Sequence, residues 1–268
     1  MRDTGWSSWM RTWEAHSRLS RFRRALDSSC ETVAGLTRAS KLFVALSGGK
    51  DGVALAGVCK EAGRADLPLV HVYTELNTPG MEDCAKHTAR ILGMPYSGIQ
   101  PDLSPHPDIW HWLRAIHGHI LHPGPFEQMC RGISVGNMLV AYTYEQGFDG
   151  SLTGMRAEES KGRRINRKVR GRVYTHQTDG RMIVQPIVDW SARDVFAFCV
   201  SRGLPICDHY RLLYEKYGVS PESPGSRVDC LITSDAVAAR GALAYARALY
   251  PDLWRQIVLT RPELAIEG

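Results

Sequence analysis

Two apolar runs, Phe43-Val44-Ala45-Leu46 and Val53-Ala54-Leu55, are joined by Ser47-Gly48-Gly49-Lys50-Asp51-Gly52. Paired glycines reach backbone conformations closed to other residues, and they let amide N–H groups approach an anion with no Cβ in the way. If the first run is a strand and the second a helix, the helix aims its unsatisfied first-turn amides and partial positive charge at the same place. Ser47 adds a hydroxyl donor, and Lys50 a mobile charge able to neutralise phosphate oxygens. Asp51 stands at the helix start, where it either caps the helix or holds Mg²⁺. A plain turn with a solvated lysine would account for the glycines, but not for Ser, Lys and Asp together. The spacing is neither the G-x-x-x-x-G-K-S/T of a Walker loop nor the G-x-G-x-x-G of a dinucleotide fold.

A second group lies about a hundred residues later, in Gly154-Met155-Arg156-Ala157-Glu158-Glu159-Ser160-Lys161-Gly162-Arg163. Arginine binds oxyanions through a planar fork and stays charged, which suits Arg156 and Arg163 to a phosphate or sulfate. The basic run extends through Arg164, Arg167, Lys168, Arg170 and Arg172. It reads as a surface for an anionic partner or, equally, as a solvated loop. His106, His111, His117, His119 and His122 cluster without matching Cys, Asp or Glu spacing, so packing and surface roles are expected ahead of a metal site. The seven cysteines, Cys30, Cys59, Cys84, Cys130, Cys199, Cys207 and Cys230, form no C-x-x-C and imply no disulfide framework. Cys59 and Cys199 sit in apolar runs and are expected in the core. Cys207 and Cys230 lie in less regular sequence.

These residues need a scaffold, and the chain spells one out. Lys41–Ser47 and Pro68–Thr74 read as buried strands, each followed by a helical stretch closed by Gly63 or Gly93. Such alternation implies an α/β fold, a Rossmann-like parallel sheet with helices on both faces. Ser20–Leu36 forms a helix before the first strand, and Trp6, Trp9 and Trp13 share one helix face, where packing is expected. Asp149–Gly154 reads as another short buried strand. Two β-like runs flank Asp179-Gly180 as a hairpin, and Ser191-x-x-Asp194 caps a helix ending near Gly203. The expected organisation is an N-terminal helical segment (1–40), a nucleotide-binding domain (41–214) and a small irregular C-terminal extension with helices (215–268). At 268 residues, with 44% hydrophobic and 23% charged residues and a net charge of +5, the composition is that of an ordinary soluble domain. No run approaches the roughly 20 apolar residues of a membrane span, and the first residues lack the apolar core of a secretory signal. Cytoplasm is the expected compartment, with no membrane partner.

Ser47–Gly52 resembles the S-G-G-x-D-S/T pyrophosphate loop of the adenine-nucleotide α-hydrolase-like superfamily. Gly154–Arg163 resembles the G-x-R-x-x-E/D-S-x-x-R element of the phosphoadenosine phosphosulfate (PAPS) reductase family within it. Val184–Tyr210, with Pro186, Trp190, Asp194, Leu204-Pro205 and Tyr210, resembles a third segment of that family, although Trp190 and Phe196 also suit simple packing. The three pieces stand in the family's order and span Lys41 to Tyr214. The resemblance implies a cleft for ATP, or for a sulfonucleotide of the PAPS type, with Lys50, Asp51 and Arg156 in catalytic roles. Ser47, Gly48, Gly49, Gly52, Thr74, Glu75, Gly154, Ser160 and Arg163 would contact the nucleotide, and Asp51 would hold Mg²⁺. For Thr74 and Glu75, ordinary loop capping explains the residues nearly as well.

Two departures bear on activity. Gly52 replaces the family's Ser or Thr, removing a hydroxyl worth about 0.5–1.5 kcal/mol to a phosphate. The reductases' C-terminal E-C-G-I/L-H element is missing, and Thr233 stands where a second cysteine would pair with Cys230. Reductase chemistry and an iron–sulfur cluster are therefore not expected. Members of the resembled family that hydrolyse ATP keep both the Lys and the Asp, so with Lys50 and Asp51 the resemblance implies ATP cleavage between the α and β phosphates, giving AMP and pyrophosphate with adenylation of an acceptor. Sulfonucleotide binding with Cys207 or Cys230 as the thiol is the alternative, and a non-catalytic nucleotide-binding subunit or sensor is another. The basic segment suits sulfate, a nucleotide, nucleic acid or the acidic face of a partner protein, and the resemblance favours sulfur-related chemistry over nucleic acid as the acceptor; a partner protein or a homo-oligomer is a separate expectation.

Overall fold

The computed structural model describes residues 5–73, 77–99, 139, 142–177, 180–228 and 242–260. Thr74 and Glu75, the histidines from His106 to His122, Cys130, Asp179, Cys230 and Thr233 lie outside the described residues. So does the tip of the expected hairpin.

The described residues form a six-stranded sheet. Its strands are β1 (Leu42–Ala45), β2 (Leu69–Val72), β3 (Tyr96–Ile99), β4 (Gly150–Leu152), β5 (Val173–Thr175) and β6 (Met182–Val184), in the order β3-β2-β1-β4-β6-β5. All neighbours are parallel except β5, which returns antiparallel to β6 with Val173 opposite Val184. The chain runs outward from β1 to β3, then comes back to place β4 on the other side of β1. That reversal leaves a crevice beyond the carboxyl ends of β1 and β4, the place where open α/β sheets bind ligands.

Period-2 alternation puts the two faces of β1 to different uses. Leu42 and Val44 join the main core, while Phe43 packs against Tyr142 and Phe148, with ring centroids 5.9 and 5.2 Å away. The main core holds the helices α1 (Gly5–Ser17), α2 (Ser20–Ala34), α3 (Lys50–Glu61), α4 (Met81–Leu92) and α6 (Ala192–Ser201). The fold adds α5 (Lys161–Arg170), α7 (Asp208–Tyr217), α8 (Ala242–Leu249) and α9 (Pro251–Thr260). Among the described residues no helix is long and apolar enough to cross a membrane.

The N-terminal helices are part of this core. Trp13 is fully buried and stacks on Phe196 of α6 at 4.3 Å with the rings 10° from parallel. Its indole N–H donates to Glu222, which also receives the Arg193 fork. Trp190 and Phe196 pack as ordinary core residues. Trp190 is buried between Phe22 and Phe198, and its N–H donates to Ser29 Oγ at 2.9 Å. The Ser191/Asp194 capping box opens α6 as the spacing implies, and His16 lies 2.6 Å from the other Asp194 oxygen.

Candidate nucleotide site

The two loops that the sequence singles out follow the two strands that flank the crevice. β1 ends at Ala45 and leads through Leu46-Ser47-Gly48-Gly49 into α3, while β4 ends at Leu152 and leads through Gly154 to Arg156. Parallel pairing, with Val44 opposite Leu152, brings the loops side by side. Their glycines are what allow the contact. Gly48 has φ +77°, and a Cβ there would meet the Met81 carbonyl oxygen at 2.1 Å. A Cβ on Gly154 would stand 2.9 Å from the Asp51 carbonyl.

The charges between the loops are buried and paired. Asp51 receives Lys50 Nζ on one oxygen at 2.9 Å and Arg156 Nε on the other at 2.5 Å. Both cations have side chains only 3% exposed. The mobile charge expected of Lys50 needs correction, and of the two roles open to Asp51 the helix cap falls away. Gly49 is the N-cap of α3, and Lys50 is fixed over the rings of Phe196 and Tyr210, 5.8 and 5.6 Å from their centroids. Cation–π attraction gains strength where water is excluded, so apolar rings can carry the lysine. Trp13 therefore supports the site at one remove, through Phe196.

Burial governs the titration of this group. It lowers the pKa of Lys50, Asp51 opposes that, and Arg156 adds to it, leaving the ammonium below its ordinary value. For Asp51 burial pushes upward, but Lys50 and Arg156 together outweigh it and hold the carboxyl below the usual range. Burial likewise lowers Arg156, and Asp51 and Glu158 overcome it.

Around this centre lies a cleft of about 210 Å³, lined by Ser47, Gly49, Lys50, Asp51, Gly52, Gly154, Glu159, Arg163, Tyr210 and Arg227 among others. It gathers most of the residues expected at the site. Ser160 has another task, as N-cap of α5 accepting from the Arg163 amide at 3.2 Å. Sequence reasoning missed Arg227, Tyr210 and Glu159 as members. Arg227 and Arg163 both pair with Glu159, whose side chain is 6% exposed, and Arg156 lies 3.7 Å from it. Tyr210 closes the floor, its hydroxyl accepting from the Lys50 amide at 3.4 Å. Gly52, the departure from the resembled loop, has a local reason. A Cβ there would come within 3.2 Å of the Ser47 nitrogen and 3.3 Å of a Leu46 methyl.

A roomier hollow, about 610 Å³, is lined by Glu158, Asp189, Asp194, Glu222 and Arg193 among others. Its carboxylates are already held by Arg156, by Arg167 and Arg172, by Ser191 and His16, and by Arg193 and Trp13, so it makes no demand for a ligand. Cys207 is buried, donates toward the Pro79 carbonyl at 3.7 Å, and has its thiol pushed up to about 11 by burial. Cys59 and Cys199 are core residues as expected. Among the described residues no group of three or more His, Cys, Asp or Glu side chains converges as a metal centre.

The family model described as the phosphoadenosine phosphosulfate reductase domain matches residues 41–223. The chain belongs to that family. Solved structures agree on the fold. PAPS reductase from Candida auris, in a phosphate complex, aligns with a TM-score of 0.51 at 14% identity, covering 72% of this chain and 90% of that one. The U34-tRNA thiolase NcsA from Methanococcus maripaludis, with its 4Fe-4S cluster, aligns with a TM-score of 0.51 at 16% identity, covering 92% and 80%. FMN adenylyltransferase from Candida glabrata, with FMN and the ATP analogue AMPCPP, aligns with a TM-score of 0.51 at 12% identity, covering 77% and 67%. No curated protein matches the sequence. These neighbours of the PAPS reductase family share one α/β scaffold and differ in the chemistry their names state.

Proposed function

We propose that this PAPS reductase family member binds ATP in the β1/β4 cleft and cleaves it between the α and β phosphates, transferring AMP to an anionic acceptor. The observation that supports this most is Lys50 and Arg156 held on Asp51 directly beside the Ser47–Gly49 turn. In this reading the turn amides and the α3 N-terminus receive the β and γ phosphates. Lys50 neutralises the oxygen on which charge develops as pyrophosphate leaves. Arg156 and Arg163 balance charge on the α phosphate as the acceptor oxygen attacks it. The acceptor–phosphorus bond forms as the bond to the pyrophosphate oxygen breaks, and an acceptor that is already an anion needs no base.

Mg²⁺ usually takes one or two protein carboxylates completed by substrate phosphates, and Asp51 is the carboxylate beside the turn, with its side chain 23% exposed. Each of its oxygens already receives one cation, so the ion would share a remaining lone pair with Lys50 or Arg156. Asp51 would hold the ion, which when bound supplies charge neutralisation on the leaving phosphates. The test is to incubate the protein with ATP and Mg²⁺, alone and with sulfate, FMN or DNA, and to separate the products. AMP with pyrophosphate is expected, and the additive that accelerates it identifies the acceptor class. ADP would contradict the reading.

A sulfonucleotide in the same cleft is the second reading, favoured by the convergence of Arg156, Arg163 and Arg227 on Glu159. Those three forks suit a sulfate or a second phosphate. Against its reductive form stands the burial of Cys207, since the thiolate and not the thiol is the nucleophile. Tight binding of phosphoadenosine phosphosulfate without turnover of ATP would move the assignment there.

A further inference from the structure

Helix α5 begins at the cleft and leaves it. Its two faces have separate duties, set by the i, i+3, i+4, i+7 spacing. On the inner face Arg163 lines the cleft, Asn166 donates to the Tyr174 hydroxyl, Arg167 grips Asp189, and Arg170 lies over the Tyr174 ring. On the outer face stand Lys161, Arg164, Ile165, Lys168 and Val169, all exposed, with Val169 at 75%. No acidic residue occurs in the helix. Arg163 is committed to Glu159 and Arg167 to Asp189, whereas the described residues give Lys161, Arg164 and Lys168 no carboxylate partner.

We propose that this outer face of α5 is a docking track for a nucleic-acid backbone that runs up to the nucleotide cleft. The inference goes beyond the adenylation reading and does not require it. At 1.5 Å per residue, Lys161 to Lys168 spans roughly 10 Å, a length over which one nucleic-acid strand presents about three phosphates. Three cations meet them. Ile165 and Val169 lie along one side of the cations, where sugar and base faces would rest. A second copy docked two-fold through this helix would set like charges against each other. Two apolar side chains are too few to anchor a helix in a bilayer. An acidic protein surface is the competing occupant, and continuity with the cleft favours the strand.

The test is fluorescence anisotropy without ATP, using a fluorescein-labelled single-stranded DNA oligonucleotide and, for comparison, fluorescein-labelled polyglutamate of similar charge, across a salt series. The DNA is expected to bind with a slope of log affinity against log salt of about −2 to −3, from three to four phosphate contacts. The triple variant Lys161→Ser, Arg164→Ser, Lys168→Ser, at exposed positions, should keep its thermal unfolding, lose about tenfold or more in affinity at low salt, and flatten the slope by about 2. Lys50→Ala should bind the DNA as the parent does, so failure of the ATP reading would leave this result standing. Three outcomes would overturn the proposal: no DNA binding at low salt, unchanged binding by the triple variant, or polyglutamate bound as tightly as DNA, which would transfer the track to an acidic protein.

Discussion

The protein keeps two populations of cations, one in the cleft and one on the helix that begins at it, and treats them in opposite ways. Lys50 and Arg156 are almost wholly buried and locked on Asp51. Lys161, Arg164 and Lys168 are exposed on α5, and the described residues give them no carboxylate. Removing a charge from water costs several kcal/mol, and the cost is recovered only with fixed partners of good geometry. A buried cation set therefore fixes positions closely and responds little to salt. Exposed charges are screened within about 8–10 Å at ordinary ionic strength, so they attract a polyanion without specifying its orientation. In the reading proposed above, chemistry at one phosphate belongs to the first set and capture of an extended partner to the second.

The largest effect that would break this contrast is Arg156→Ala. It takes one of two buried cations from Asp51 and the buried fork from Glu158, and should cost about 3–5 kcal/mol in a urea titration. A loss below about 1 kcal/mol would mean that water reaches the pair and that the cleft is not desolvated. Trp13→Ala comes next, from the support beneath Lys50. Truncating a fully buried tryptophan should cost about 3–5 kcal/mol and should also lower nucleotide affinity, because Phe196 loses its backing. An effect on stability alone would confine Trp13 to packing.

Intermediate in size is the behaviour of a buried base to which the described residues give no carboxylate. His209, on α7 beside Tyr210, lies 2.8 Å from the Tyr250 hydroxyl, and burial lowers its pKa from 6.5 to about 4. A folded pKa below the unfolded one means stability that is complete above about 6.5 and is lost as the pH falls toward 4. About 2 kcal/mol should disappear between pH 7 and pH 5, measured by denaturation at both pH values, and His209→Gln should remove most of that loss. The same pH dependence in the variant would put its source elsewhere. The smallest effect is expected at the surface. Arg167→Ala breaks a half-exposed pair with Asp189, which keeps Arg172, and should cost no more than about 1 kcal/mol. A loss as large as that of Arg156→Ala would erase the distinction.

The parts of this arrangement legible in the sequence were those set by local pattern. Ser47–Gly52 announced a strand–turn–helix because glycine pairs and apolar runs are local signals. Gly93, with φ +61° at the end of α4, and the Ser191/Asp194 box were readable for the same reason. The hairpin strands β5 and β6 flank Gly180 as expected. Strand β3 went unread, because Tyr96-Ser97-Gly98-Ile99 is a half-exposed edge with neither an apolar run nor alternation. Long-range pairings were beyond reach. Nothing local to Lys50 says that Phe196 and Tyr210 will lie beneath it, or that Trp13 will back Phe196. Arg227, in Ser226-Arg227-Val228, carries no motif, and only the fold brings it to Glu159. Asp51 does not cap α3, because its neighbour Lys50 takes one oxygen and Arg156, about a hundred residues away, takes the other.

The central claim is that the Lys50–Asp51–Arg156 group is an active site for nucleotide α-phosphate chemistry. Single-turnover formation of AMP from ATP and Mg²⁺ by the parent protein and by Lys50→Ala tests it most directly, with circular dichroism confirming that both are folded. The account predicts AMP from the parent and a loss of about a hundredfold or more in the variant. AMP formed at the same rate by both proteins would contradict it.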